Sequence, residues 1–222
     1  MMGTLNLGNT GTVNLGGGSS FTGGTNGFLA DAPSGTIIKT GSYYTGAGTG
    51  ASTASSSGTY YTISINGSGQ RLRNMTKASD HVLAYNKISS NSHLHINVEF
   101  PTYLDTGANG LGFRVRLSVD GGSSYLYIPD NCTISDTGQD SENSIWASWG
   151  LNGYGGHTAD HLSCKYTTDS YTANADTIRT HTGEVRMYFE GRVHSGSDTA
   201  YWINYSNNWQ KAGYVYIEEV KN

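Results

Sequence analysis

Histidine and acidic side chains are the first candidates for chemistry in this sequence. His157 and His161 are four residues apart with Asp160 between them, a spacing that suits zinc if the segment is helical. Residues 153–156 just upstream contain three glycines, which disfavours a helix, and a third ligand is not evident. We therefore interpret this segment as a polar surface loop.

Two further groups of residues raise the question of a metal site. His93 and His95 share one face of a predicted strand and could ligate an ion together, although histidines are common on solvent-facing strand positions. The acidic and amide residues that suggest calcium do not have the spacing of an EF-hand loop; they are Asp105, Asn109, Asp120, Asp136 and Asp140. We predict no metal and no cofactor.

Motifs for hydrolysis or nucleotide binding are not found. There is no Gly-x-Ser-x-Gly elbow and no phosphate-binding loop. The candidate paired carboxylates for glycoside cleavage are Glu184, Glu190, Glu218 and Glu219. Glu184 and Glu190 lie on one predicted strand, and six residues of strand separate them by about 20 Å, too far for this chemistry. The sequence therefore predicts a protein that is not an enzyme.

Aromatic residues cluster in two places, around residues 146–154 and 201–209. An exposed ring can stack on a sugar face with little loss of side-chain entropy. Because the chain has only five Phe, at least half of these rings must belong to the core. The predicted glycan-contact residues are Trp146, Trp149, Tyr154, Trp202 and Trp209.

Alternating apolar and polar residues predict the elements that would position these side chains. Leu94, Ile96, Val98 and Phe100 share one strand face, and residues 113–119 repeat the pattern. Asp120-Gly121-Gly122 is predicted to be a turn, and no amphipathic helix is convincing. The predicted strands are Thr59–Ile65, His81–Asn86, His93–Phe100, Leu111–Val119, Ser123–Ile128, Ser144–Ser148, Glu184–Val193, Ala200–Tyr205 and Gly213–Val220. This pattern predicts an all-β antiparallel sandwich, most simply a jelly roll.

The N-terminal segment differs in composition from the rest. Gly3–Gly8 is nearly repeated as Gly11–Gly16, and each copy alternates apolar and polar residues. A turn at Gly8–Gly11 could join the copies as a hairpin, which would be marginally stable alone. We therefore predict an attachment arm over residues 1–50, a linker over 51–58 and a jelly roll over 59–222. The arm residues predicted to pack on another chain are Leu5, Leu7, Val13 and Leu15.

Bulk composition excludes several classes of partner. The chain has 222 residues and a formal net charge of -4, so no basic footprint for nucleic acid is present. No apolar run is long enough for a membrane helix, and Met1–Thr4 does not have the character of a secretory signal. Without signs of export, we expect Cys132 and Cys164 to be free thiols, although their spacing alone does not decide this.

The last forty residues carry a recognisable pattern. A long alternating strand (Val185–Val193) is followed by a Ser/Gly turn, a short aromatic strand (Tyr201–Tyr205), a polar loop, and a last strand ending in Ile217-Glu218-Glu219-Val220. This region resembles the closing strands of jelly-roll domains in virion proteins of tailed phages, including tail fibres and capsid-associated proteins of marine podoviruses. Many members have a hydrophobic residue where this chain has Glu218. The resemblance transfers no catalytic residue.

The resemblance implies a structural protein of a phage particle, either a tail fibre or spike or a capsid decoration. Its arm would bind a capsid or tail protein of the same virion, and its head would face outward, where it could contact host-surface carbohydrate. Weak binding per arm favours a homo-oligomer, with a trimer as the preferred form. The alternatives are a carbohydrate-binding module that works beside a glycan-active enzyme and a secreted β-sandwich adhesin.

Overall fold

The computed structural model describes residues 12–14, 20–22, 32–45, 52–54, 60–67, 69–104, 111–128, 145–147, 158–168, 172–193, 200–202 and 212–222. Within these ranges the chain forms sixteen strands and one helix. The elements are β1 (Thr12–Asn14), β2 (Ser20–Thr22), β3 (Ile37–Tyr44), β4 (Ser52–Ala54), β5 (Tyr61–Thr62), β6 (Arg71–Arg73), β7 (Met75–Ser79), β8 (Val82–Lys87), β9 (Ser92–Leu104), β10 (Leu111–Ser118), β11 (Leu126–Ile128), β12 (Ile145–Ala147), β13 (Thr158–Thr167), α1 (Thr172–Thr180), β14 (Gly183–Val193), β15 (Ala200–Trp202) and β16 (Tyr214–Lys221).

Two antiparallel sheets of seven strands form a sandwich. Sheet I has the order β11-β10-β14-β8-β7, with β12 also on β10 and β5 also on β14. Sheet II has the order β4-β15-β9-β16-β3-β6, with β13 along the opposite edge of β9. The chain changes sheet between β8, β9 and β10 and again between β13, β14 and β16. As a result, strands β3-β16-β9-β13 of sheet II face strands β8-β14-β10-β11 of sheet I. This is the strand arrangement of a jelly roll, and the predicted fold class is confirmed.

Alternation along the strands builds the core between the two sheets. Leu94, Ile96, Val98 and Phe100 of β9 are fully buried, as are the inward residues of β10, β14 and β16. The Phe100 ring from sheet II meets Phe113 and Phe189 of sheet I edge-on, at centroid distances of 5.8 and 5.1 Å. Such edge-to-face packing adds to the stabilisation from apolar burial. This apolar end of the core joins the two sheets.

Most predicted strands are present, but the structure adds elements that the sequence pattern did not reveal. The segment around His161, interpreted as a loop, instead begins strand β13, which pairs with β9 over ten residues. Helix α1 was also not predicted; Ile178 is the apolar residue that it buries, at 2% exposure. Strands β6 and β7 are short, and β7 buries only Met75. Pairing with neighbouring strands, which local sequence does not show, fixes these elements.

The sandwich begins earlier than the sequence predicted. Strand β3 lies within the range 1–50 assigned to the arm, yet it pairs with β16 along its length and buries Tyr43 completely. Strand β4 lies in the predicted linker 51–58 and pairs with β15. The boundaries at residues 50 and 59 are therefore corrected, because β3 is an integral strand of sheet II.

The predicted turn at Asp120-Gly121-Gly122 is confirmed. Both glycines have positive φ angles, 76° and 101°, and residues other than glycine rarely adopt this backbone conformation. The Asp120 carboxylate accepts hydrogen bonds from the backbone amides of Ser123 and Ser124, at 2.9 and 3.0 Å. Hydrogen bonds from Ser124 and Ser118 lower the pKa of Asp120, so this turn between β10 and β11 is fixed by a charged cap.

Candidate functional site

The predicted arm residues lie mostly outside the described ranges. Leu5, Leu7 and Leu15 are among the residues that the structure does not describe, whereas Val13 is the central residue of β1. Its register partner is Phe21 of β2, so β1 pairs with a strand that follows it in the chain. Hairpin β1–β2 is a separate two-stranded sheet in the described part of the structure, since neither of its strands pairs with sheet I or sheet II there.

The predicted glycan-contact residues are also only partly described. Trp149, Tyr154 and Trp209 fall outside the described residues, as does Cys132. Trp146 lies in β12 and is the register partner of Gly112 in β10. Trp202 lies in β15 and is the register partner of Thr102 in β9.

The outward face of sheet I carries an ion-pair cluster that includes one of the candidate carboxylates. Glu190 accepts from Arg114 Nε at 2.6 Å and from Arg116 Nη2 at 2.7 Å. The Arg114 guanidinium lies 3.6 Å from the centroid of the Tyr60 ring. Both Glu190 oxygens are engaged by arginines and the side chain is 6% exposed, so the group is held as an ion pair and is badly placed for general acid or base chemistry.

The same face continues with two tyrosines in edge-to-face contact. Arg116 lies 4.2 Å from the ring centroid of Tyr125, and Tyr125 meets Tyr188 edge-on at 5.2 Å. Arg186 pairs with Glu184 at 2.6 Å and donates to the Gly121 carbonyl, so the second candidate carboxylate is paired as well. We call residues Tyr60, Arg114, Arg116, Tyr125, Tyr188 and Glu190 the Arg–Tyr face. Its planar rings and guanidinium groups are the types that contact sugars and anions.

The inner space of the sandwich changes from apolar to polar near the end of β16. Glu219 has the inward parity of Val215 and Ile217 and is fully buried. Its carboxylate accepts from the amides of Ile88 and Ser89 at 3.0 and 2.8 Å, and from the Ser92 hydroxyl at 2.7 Å. A carboxylate so placed holds the crossover from β8 in sheet I to β9 in sheet II.

Three side chains from β3 and β8 surround this carboxylate. The Tyr85 hydroxyl donates to Glu219 at 3.3 Å, and the Lys39 ammonium lies 4.7 Å from the Tyr85 ring centroid. Lys87 is 1% exposed and donates to the carbonyls of Ser89, Arg179 and His181, which also ties the end of helix α1 to the sandwich. We call Lys39, Tyr85, Lys87 and Glu219 the polar end of the core.

An open pocket of about 420 Å³ lies beside the polar end. Its lining includes Lys39, Asn74, Met75, Tyr85 and Glu184. Burial lowers the pKa of Lys39, but its amine donates to the Asn86 carbonyl, and no nucleophile paired with a base lines this pocket. Asn74, at a positive φ of 54°, donates to the Thr40 carbonyl. The Asn74 hydrogen bond joins β3 to the residue that precedes β7 at the edge of the sandwich.

The histidines of β9 are brought together on the outward face of sheet II. The Nε2 atoms of His93 and His95 lie 3.2 Å apart. Within the ranges that the structure describes, no group of three or more His, Cys, Asp or Glu side chains is arranged to hold a metal ion. Lys87 was not identified in the sequence, and Glu219 was considered there only as a candidate carboxylate for glycoside cleavage. The inward parity of both residues between apolar residues was the available signal for a buried polar cluster.

Comparison with known proteins provides no relative. No known protein-family model matches this chain, and no curated protein matches it. Helix α1, the helix of the described ranges, is too short and too polar to cross a membrane. The function must therefore be argued from the fold and from the arrangement of the described residues.

We expect Glu219→Gln to destabilise the protein by about 3–5 kcal/mol, because a buried charge network would lose its acceptor and an amide NH₂ would face backbone donors. Urea denaturation followed by fluorescence measures this difference. Glu99→Gln, which changes an exposed carboxylate of β9, is the matched control and should change stability by less than about 0.5 kcal/mol. Equal stability of the two variants would contradict the assigned role of Glu219.

We expect the contribution of Lys87 to stability to rise in alkaline solution. Burial lowers the pKa of Lys87 to about 8, from 10.5. Because the folded pKa is below the unfolded one, the unfolded chain binds more protons between these values, and the free energy of unfolding rises with pH there. The comparison is with Lys87→Met by urea denaturation at pH 7 to 10. The free energy of unfolding of wild type should rise relative to that of Lys87→Met above about pH 8. If the difference between the two free energies stays constant or falls with pH, the lowered pKa of Lys87 is refuted.

Proposed function

We propose that this chain is a non-enzymatic structural protein of a phage virion, anchored by its N-terminal arm and displaying the jelly-roll sandwich as a head. The single observation that carries the proposal is hairpin β1–β2, which pairs with neither sheet of the sandwich in the described part of the chain. The resemblance of residues 183–220 to phage virion proteins supports the same function. Tail fibre or spike and capsid decoration are both compatible with it.

The hairpin is too small to be stable without a partner. Strands β1 and β2 have three residues each and share three register pairs, with Val13 opposite Phe21. A two-stranded sheet of this length does not bury enough apolar surface to be stable alone in water. Its edges carry unpaired backbone groups, which a strand from a neighbouring chain can satisfy. We infer that a virion partner supplies the missing strand.

The composition of the arm suits such an interface. Residues 1–30 contain no Asp, Glu, Lys or Arg, so packing them against another chain removes no such charge from water. Glycine-rich backbone is costly to order, which keeps each contact weak. Several arms acting together would overcome this weakness, so we propose a homo-oligomer, preferably a trimer, that binds a capsid or tail protein.

The head has the features needed for display. The apolar end of the core and the polar end fix the two sheets to each other at both ends, through Phe100 and through Glu219 respectively. Two of the four carboxylates considered for catalysis, Glu184 and Glu190, are paired with arginines. These contacts support a rigid particle component over an enzyme.

We expect deletion of residues 2–24, and the single change Val13→Pro, to abolish incorporation into particles while leaving the head folded. Proline removes a strand N–H and does not fit a paired strand. The matched control is Val13→Thr, which keeps β-branching and should incorporate like wild type. Particle incorporation is measured by mass spectrometry of purified virions, and head folding by the melting temperature. Normal incorporation of the deleted or proline form would overturn the arm assignment.

A carbohydrate-binding role is the second candidate, and the Arg–Tyr face favours it. Trp146 lies in β12, which pairs with β10, the strand that carries Arg114 and Arg116. Ring faces beside guanidinium groups offer stacking and hydrogen-bond donors to a sugar. In the virion, this surface would contact host glycans; in the alternative, the chain would be a module beside a glycan-active enzyme.

We expect Trp146→Ala to abolish binding on a glycan array to which the wild-type protein binds, because the stacking platform is lost. The control is Tyr214→Ala, which removes a ring that is 38% exposed on sheet II and should leave binding unchanged. Melting temperatures establish that both variants are folded. If wild type binds no glycan, or if Trp146→Ala binds as well as wild type, the glycan role is rejected.

A further inference from the structure

Four residues form a row across the outward face of sheet II, one from each of four adjacent strands. Arg71 of β6 is the register partner of Tyr44 in β3, and Tyr44 is also the register partner of Tyr214 in β16. Tyr214 is in turn paired with Glu99 of β9. Register partners on neighbouring strands project from the same side of a sheet. All four residues are exposed, and we call Arg71, Tyr44, Tyr214 and Glu99 the sheet II row.

The middle of this row is aromatic. Tyr44 and Tyr214 are 40% and 38% exposed. Tyr214 also stacks with Tyr216, two residues further along β16, with ring planes 8° apart and centroids 6.4 Å apart. Exposed tyrosines on a flat sheet face are the residue type that is enriched at protein–protein contacts.

The two ends of the row carry opposite charges. Arg71 lies on β6, the terminal strand of sheet II, and Glu99 lies three strands away on β9. Within the part of the chain that the structure describes, neither side chain forms an ion pair or a hydrogen bond. Both charges are therefore available to a partner.

The row is complementary to a copy of itself. A two-fold axis that runs along the strands, between β3 and β16, places a second copy face to face with the first and reverses its row. Arg71 of each copy then faces Glu99 of the other copy, and Tyr44 of each copy faces Tyr214 of the other. The symmetric arrangement satisfies both charges twice.

The neighbouring row does not oppose this arrangement. It lies two residues away along each strand and consists of Arg73, Ser42, Tyr216 and Asn97. When this row is reversed onto itself, Arg73 faces Asn97 and Ser42 faces Tyr216, so the two rows place no like charges directly opposite each other.

We propose that the outward face of sheet II binds a second copy of this chain through the sheet II row, with two Arg71–Glu99 ion pairs on either side of the tyrosine rings. The row spans three strand spacings, about 14 Å, which is small for a stable interface, so binding by one pair of heads is weak. The dimer therefore dissociates on dilution, and Glu99 and Tyr214 are exposed in dilute protein. The contact goes beyond the virion function and uses no residue of the arm.

Sedimentation equilibrium of the full chain over a range of protein concentrations tests this contact. Wild type should associate from monomer to dimer. Arg71→Glu and Glu99→Arg should each weaken the dimer by roughly 100-fold, because like charges then face each other at both ends of the row. Asp176→Arg makes the same change of charge as Glu99→Arg at an exposed position of α1 and should associate like wild type. Melting temperatures establish that the variants are folded.

A mixture of the two single variants gives the most specific result. Arg71→Glu makes both ends of the row negative, and Glu99→Arg makes both ends positive. The mixture should therefore form a dimer although neither variant does so alone. A contact in which residue 71 of each copy faces residue 99 of the other predicts this rescue.

Three results would overturn the proposal. The first is a wild-type protein that stays monomeric throughout the concentration range, and the second is a mixture that stays monomeric. The third is an oligomer that persists in Arg71→Glu, which would assign association to another surface such as the arm. Val13→Pro, which disrupts the arm hairpin, should dimerise like wild type, so that a failure of the arm assignment and a failure of this contact are measured separately.

Discussion

The sandwich depends on one buried carboxylate. Glu219 lies on the last strand of sheet II, yet its oxygens receive hydrogen bonds from the crossover that leaves sheet I at residues 88–92. A buried acceptor that satisfies backbone amides is costly to remove, because the amides would then remain unpaired in the interior. These hydrogen bonds keep the crossover beside β16, and the hydrogen bond from Lys87 to the Arg179 carbonyl keeps Lys87 beside the end of α1. The apolar contact of Phe100 with Phe113 and Phe189 closes the opposite end.

This arrangement separates the chain into parts with different physical requirements. The head contains its own core, its own charged network and paired sheets. Hairpin β1–β2 has only three register pairs and lies in a segment of low charge and high glycine content. A head that is complete by itself and a hairpin that is not are expected of a component attached to an assembly, and this contrast is the basis of the proposed function. The Arg–Tyr face then lies on the outward side of sheet I of such a component.

Local sequence predicted those strands whose inward residues are mostly apolar. Strands β9, β10, β14 and β16 alternate clearly, and they are the central strands. Strand β3 falls within the predicted arm because residues 1–50 are low in charge and rich in clustered glycines. The structure shows that Lys39 belongs to the polar end and that Gly41 lets Met75 and Tyr85 approach closely. The segment around His161 is predicted to be a loop because glycines precede it. The structure shows instead that this segment belongs to β13, which pairs with β9 over ten residues. Polar residues of inward parity, such as Glu219, require a partner from another strand, which composition and periodicity do not reveal.

The central claim is that the arm hairpin becomes stable only against a neighbouring chain. Hydrogen–deuterium exchange followed by mass spectrometry, on the isolated chain and on the assembled particle, tests it most directly. In the isolated chain, the account predicts fast exchange for peptides covering residues 12–22 and strong protection for peptides covering 94–100 and 185–189, with protection of 12–22 appearing only after assembly. Strong protection of residues 12–22 in an isolated monomer would contradict the claim, because the hairpin would then be stabilised by its own chain.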